Sequence, residues 1–356
     1  MSLKALLDGL PIPILQAPMV GAQDERMAVA VSQAGAMGAL GAGAMAPADI
    51  GAAVQTIRDQ TGAPFAVNLQ IAPALTPSPA ELEAAMARLA PWYAELGEPA
   101  PPTPSTFAQD FEAQLAALVR AAPPIASFTF GVLGAADVAR LQAAGSYVVG
   151  TANTVAEARA WAQAGADGVC AQGFEAGGHH GYFLADIEAS SVGTLALTAT
   201  IVAAVEIPVI AAGGIMDGRG VAAALALGAS AAQMGSAFLL ADEATNGPTW
   251  QAALRNAAED GTRLTHAFSG RYARGLENRF MRELKAAEVA AYPIQNRLTQ
   301  PLRAAANRAG DADVMSLWAG QAATLARPGA AADLVRQWWA QAREASGALA
   351  RRTAET

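Results

Sequence analysis

Short runs in which nearly every position is apolar or small recur along the chain. They read IPILQAPM (12–19), MGALGAG (37–43), FAVNLQ (65–70), IASFTFG (125–131), YVVGTA (147–152), GVCAQG (168–173), PVIAAGG (208–214) and AAQMGSAF (231–238). Between them lie longer stretches with helical spacing of apolar residues, among them DERMAVAVSQAG, ADIGAAVQTIRDQTG, AADVARLQAAG, TVAEARAWAQAG and DGRGVAAALALG. Several of these close on glycine, the favoured residue just past a helix C-terminus. Strands that are apolar on both faces and alternate with helices predict a parallel sheet covered on its outside. Eight such units over residues 1–240 suit an α/β fold of the TIM type, a closed (β/α)₈ barrel. An open doubly wound sheet is the competing arrangement. It is disfavoured because the first strand–helix turn, APMVGAQD, lacks a glycine fingerprint for a dinucleotide.

Two regions depart from the repeat. An insertion at about 71–106, with APALTPSP, a helical stretch and the proline cluster GEPAPPTPS, follows the third strand where a lid or pocket wall would stand. Residues 241–356 are more polar and are predicted to form a mostly helical segment that caps the barrel mouth.

Composition narrows the class. The chain has 356 residues, of which 53% are hydrophobic and 15% charged, so core material is ample. Mean hydropathy is +0.24, and Gly220 to Ala241 carries no charged residue before Asp242. That run is rich in Ala, Gly and Ser, which insert weakly into lipid, so a buried helix and strand are predicted there and no membrane span. The N-terminal MSLKALLDGLPIP lacks the apolar centre of a signal peptide, and a cytoplasmic location is expected. A net charge of −8 argues against nucleic acid but leaves anionic cofactors open, because backbone amides bind phosphate whatever the global charge. The single cysteine, Cys170, excludes an internal disulfide and a multi-cysteine metal site; no metal is expected.

In such a barrel the strand C-termini face the site. Here they present Gln16 to Met19, Asn68, Gln70, Thr129, Thr151, Gln172, Gly213, Gly214 and Gln233 to Ser236. Amides, hydroxyls and glycines with scarcely a charge suit a large, planar, hydrogen-bonding cofactor better than a metal or a Schiff base. AAGGIMDGRG and QMGSAF stand where barrels of this type bind phosphate. Gly213 and Gly214 would bring amides to it and Ser236 a hydroxyl, although turn glycines occur in any such unit. A phosphate site beside an amide-lined mouth suggests flavin mononucleotide. GFEAGGHHGYF (173–183) holds two of the three histidines among four glycines and reads as a loop over that position. Histidine suits proton transfer near neutral pH. Neighbouring side chains diverge, so only one of His179 and His180 is expected to point inward. Glu175 is a candidate to orient it, or a solvated carboxylate; His266 and Tyr272 are weaker candidates.

The stretch from Gly150 to Phe183 closely resembles the central motif of the nitronate monooxygenases, in their class I branch. QAPM, FAVNL, AAGGIMDGRGVAAALALGA, QMGSAF, FSGRYARGLENRF and SLWAGQ follow in that family's order, so the resemblance spans about 12–321. It implies an FMN enzyme that oxidises alkyl nitronates of the propionate 3-nitronate type with O₂, giving a carbonyl compound and nitrogen oxyanions. The nitronate would pass one electron to the flavin. It also implies that His179 is the active-site histidine, acting as base toward neutral nitroalkanes. The implied flavin contacts are Asn68, Gln172, Gly177 with its neighbour Gly178, Gly213, Gly214, Gln233, Met234, Gly235 and Ser236, with Met19 under the ring. Three departures stand out. His180 occupies the place of a usual arginine and is expected on the outer side of the loop. Thr129 replaces a frequent histidine, and Ser236 a common threonine. Two other readings stay open: an NAD(P)H-dependent flavin reductase of quinones or enoyl thioesters, and a non-redox isomerase or lyase with a phosphorylated substrate. A monomer or homodimer is expected.

Overall fold

The structure, a computed structural model, describes residues 1–72, 75–99, 101–284 and 289–354. Residues 73, 74 and 100 of the expected insertion lie outside the described residues. In chain order the strands are β1 (Ile14–Gln16), β2 (Gly38–Gly41), β3 (Phe65–Gln70), β4 (Ile125–Thr129), β5 (Tyr147–Ala152), β6 (Gly168–Gln172), β7 (Gly178–His179), β8 (Val209–Ala212), β9 (Ala231–Met234), β10 (Thr262–Thr265) and β11 (Ala273–Leu276). Eight of them pair in parallel in the order β1-β9-β8-β6-β5-β4-β3-β2, and a parallel bridge from Leu15 to Met37 joins the two ends into a barrel. These eight are the predicted strands; β3 and β5 fill their apolar runs and the other six are shorter.

The helices between them start where the sequence supplies caps. Asp24, Asp110, Thr154 and Asp217 each accept a backbone N–H of the first turn, filling donors that the helix itself leaves open. Below the barrel, the short helix Leu3–Asp8 inserts Leu3 and Leu7 among Leu15, Ile125, Val149 and Ile210. This apolar plug fills the barrel's N-terminal end.

The insertion carries the helix Pro79–Glu95, whose start is a capping box between Ser78 and Glu81. It packs on the helix Ile294–Ala309. The Tyr93 hydroxyl donates to the Leu298 carbonyl at 2.9 Å, and Trp92 meets Phe280 edge to face at 4.8 Å. Residues beyond 240 share one apolar cluster with Ile14 of β1 and Met234 of β9. They are not all helical: RLTHAFSGRYARGLENRF forms β10 and β11, whose apolar alternation is too short to betray them. The last helix, Ala331–Ala354, packs along Gly218–Ala226 on the outside of the barrel rather than at its mouth.

The glycine-histidine stretch is likewise not a plain loop. Gly178 and His179 pair with Arg274 and Ala273 of β11, completing a three-stranded antiparallel sheet β10-β11-β7. A two-residue strand flanked by glycines has no sequence signature of its own; its partner lies some ninety residues on.

Candidate active site

The C-terminal ends of the barrel strands open into a cavity of about 600 Å³, within the range of small-molecule sites. Eleven of the twelve predicted site residues line it: Met19, Asn68, Gln172, Gly177, Gly178, His179, Gly213, Gly214, Gln233, Gly235 and Ser236. Met234 does not. Strand alternation sends its side chain into the apolar cluster, where it is fully buried.

The polar floor is a connected network. Asn68 donates to the Ser127 hydroxyl at 3.1 Å, and Thr129 lies 3.3 Å from the Thr151 hydroxyl. Gln172 is engaged on both sides of its amide, donating to the His179 carbonyl at 3.0 Å and accepting the Gly181 N–H at 2.7 Å. It therefore anchors the glycine-histidine segment over the cavity. Glu157, fully buried, holds the far end of that segment by accepting the Leu184 N–H at 2.9 Å and the N–H of Phe183.

His179 and His180 lie on opposite faces of the segment. His179 faces the cavity, ringed by Phe130, Tyr292 and Trp318 at centroid distances of 5.6, 6.0 and 5.5 Å, with Nε2 2.8 Å from the Ser269 hydroxyl. Burial, then the guanidiniums of Arg271 and Arg303 and the neighbouring His180, push its pKa down to about 3, so the imidazole is neutral. His180 is not on an outer surface: it is 0% exposed, edge-on to Phe174, and among the described residues neither ring nitrogen has a hydrogen-bond partner. Burial, with the Arg274 charge second, lowers it to about 4. Glu175 orients neither ring. Its carboxylate accepts the N–H and hydroxyl of Thr194 at 2.7 and 2.6 Å, at the start of the helix Thr194–Val202. His266 and Tyr272 stack on each other at 4.7 Å and do not line the cavity.

Also in the cavity wall, Gly213 and Gly214 adopt φ of 112° and 68°, a region glycine enters without strain. Among the described residues their N–H groups, and that of Gly235, donate to nothing within the protein. Ser236 accepts the Gly320 N–H at 2.8 Å and keeps its own hydrogen to donate. Gly177 abuts the same backbone: a Cβ there would stand 2.5 Å from the Gly320 nitrogen.

Several lining residues escaped sequence reading: Phe130, Tyr292, Arg297, Arg303 and Trp318. All but Phe130 come from beyond residue 290 and reach the mouth only through folding. Tyr292 donates to Gln70 at 3.1 Å, and burial raises its hydroxyl to about 12. Among the described residues the ionisable side chains lining the cavity are His179, Tyr292, Cys170, Arg297 and Arg303, with no carboxylate. The Cys170 thiol is pushed by burial to about 12 and stays protonated.

The family model of nitronate monooxygenase matches residues 3–340. The chain belongs to the nitronate monooxygenase family. A probable nitronate monooxygenase of Staphylococcus aureus (strain Newman) is 39% identical over 317 residues, 88% of this chain and 89% of that protein. Among solved structures, a nitroalkane oxidase from Streptomyces ansochromogenes superposes with a TM-score of 0.90 at 43% identity, over 97% of this chain and 99% of that one. FabK from Thermotoga maritima superposes with a TM-score of 0.76 at 29% identity, over 99% of both chains. This member of the nitronate monooxygenase family is accordingly a flavin-dependent oxidoreductase. No helix among its described residues is long and apolar enough to cross a membrane.

Proposed function

We propose that the protein oxidises alkyl nitronates, of the propionate 3-nitronate type, with O₂ in an FMN-dependent reaction. The observation that carries this reading is the charge of the cavity wall. Among the described residues two arginines and a neutral histidine line it with no opposing carboxylate, which suits an anion.

The residues also fit FMN. Unpaired amides at Gly213, Gly214 and Gly235, with the Ser236 hydroxyl, form an acceptor site for phosphate oxygens. Asn68 and Gln233 offer polar side chains for a flavin ring, and Met19 a thioether. FMN, when bound, supplies the electron acceptor for the nitronate. The protein's own part is to hold the anion beside Arg303, to exclude water with Phe130, Tyr292 and Trp318, and to keep His179 neutral. A neutral imidazole can take the α-proton when a nitroalkane rather than its anion arrives.

The decisive experiment is the visible spectrum of purified holoenzyme, followed by anaerobic propionate 3-nitronate and then air. Flavin bands that fade with nitronate and return with O₂, without NAD(P)H, support the proposal. Bands that ignore nitronate but bleach with NAD(P)H would move the assignment to the reductase reading, and protein that takes up no FMN would end both.

A further inference from the structure

The turn between β10 and β11 carries a residue that the sequence did not single out. Ser269, 1% exposed, sits where the sheet folds back under the glycine-histidine segment. Its hydroxyl oxygen is 2.8 Å from His179 Nε2, 2.9 Å from the Arg271 carbonyl and 3.3 Å from the Arg271 N–H. A hydroxyl has one hydrogen and two acceptor sites. Among the described residues nothing else donates to the Arg271 carbonyl. If the hydrogen of Ser269 went to His179, that carbonyl would lose its donor, which a half-buried backbone group rarely does.

One arrangement satisfies every group. Ser269 donates to the Arg271 carbonyl, and accepts both the Arg271 N–H and the His179 Nε2–H. The proton on Nε2 leaves the lone pair on Nδ1. That nitrogen has no partner among the described residues and, unlike both nitrogens of His180, is not sealed from the cavity. The strand pairing of His179 with Ala273 and the two bonds of Gln172 hold the backbone, so Ser269 decides only the state of the ring.

We propose that Ser269 is a positioning residue that locks His179 as the Nε2–H tautomer and so presents Nδ1 as the proton acceptor of the cavity. The inference rests on the function proposed above for its kinetic consequence, not for the tautomer itself. In that step the C–H bond beside the nitro group breaks and its electron pair moves into the nitro group. The proton bonds to Nδ1, and the resulting imidazolium keeps its Nε2–H on Ser269. A substrate that arrives as the nitronate needs no such step.

The test uses ¹⁵N-histidine-labelled holoenzyme, whose three histidines give three imidazole spectra. His179 is assigned by its disappearance in H179Q. Wild-type His179 is expected to carry hydrogen on Nε2 and none on Nδ1, whereas S269A shows the other tautomer or a mixture, and S269T restores the first. With general-base catalysis worth about 10²–10⁴-fold, S269A should lose about 10²-fold in turnover of a neutral nitroalkane while nitronate turnover stays within about threefold. A wild-type ring protonated on Nδ1 overturns the proposal, as does an S269A protein with unchanged tautomer and unchanged substrate ratio. If S269A fails to fold, the wild-type and S269T spectra still decide. If the wild-type enzyme turns over neither substrate, the functional reading falls, and the tautomer alone decides the part played by Ser269.

Discussion

The two ends of the barrel are built from the same eight strands, yet they have opposite chemistry. The N-terminal end is plugged by Leu3 and Leu7 against Leu15, Ile125, Val149 and Ile210, all buried and with no polar side chain among them. The C-terminal end presents Gln172 and a network of Asn68, Ser127, Thr129 and Thr151 to the cavity. A few residues along one strand separate an environment that wants only close packing from one that must satisfy every donor. Stability and reactivity are therefore separable in this molecule, and substitutions at the two ends should fail in different ways.

The largest effect is expected at the mouth. H179Q should lower turnover of a neutral nitroalkane by about 10²–10⁴-fold with the visible flavin spectrum and melting temperature kept, since the ring takes part in proton transfer and not in the core. A parallel loss of bound flavin would place His179 in cofactor binding instead. Next comes the plug. L7A should destabilise by about 2–5 kcal/mol, read by denaturant unfolding, while turnover per folded molecule is unchanged. A fall in turnover at equal folded fraction would break the separation of the two ends.

His180 gives a smaller effect, one that depends on pH. Its folded value, about 4, lies below the ordinary 6.5, so between those limits the unfolded chain binds the extra proton. Stability is then complete above pH 6.5 and is lost as pH falls toward 4. H180F should remove that part of the acid loss and hold or raise stability at neutral pH by about 1 kcal/mol, because an imidazole without partners is replaced by an apolar ring. Thermal melts from pH 7 to pH 4 check this, and equal slopes in both proteins would refute it. The smallest change is T129V. It removes a 3.3 Å contact to Thr151 and a 3.4 Å one to Asn68, both long, so flavin affinity should fall by less than about 1 kcal/mol. A FMN titration that shows a larger loss would make Thr129 a direct ligand.

How legible each feature was follows from its range along the chain. The barrel strands were legible because burial on both faces makes an unbroken apolar run, and the helices because their caps are local. Gly213 and Gly214 were legible because a strand–turn–helix unit is contiguous. β7 was not, because two residues have no period, and the strand exists only by pairing with β11. Glu175 looked like a partner for one of the histidines four and five residues on, but the fold turns it to Thr194.

The sequence by itself determined the class of fold, the end of the barrel that would carry chemistry, and most of its polar floor, because these depend on periodicity and on residues within single strand–helix units. Only the tertiary structure decided what surrounds the histidine that faces the cavity. Ser269, Tyr292, Arg303 and Trp318 lie about 90 to 140 residues from His179 in the chain. Their meeting is settled by strand pairing and by the packing of the C-terminal segment, long-range contacts that no local pattern of residues encodes.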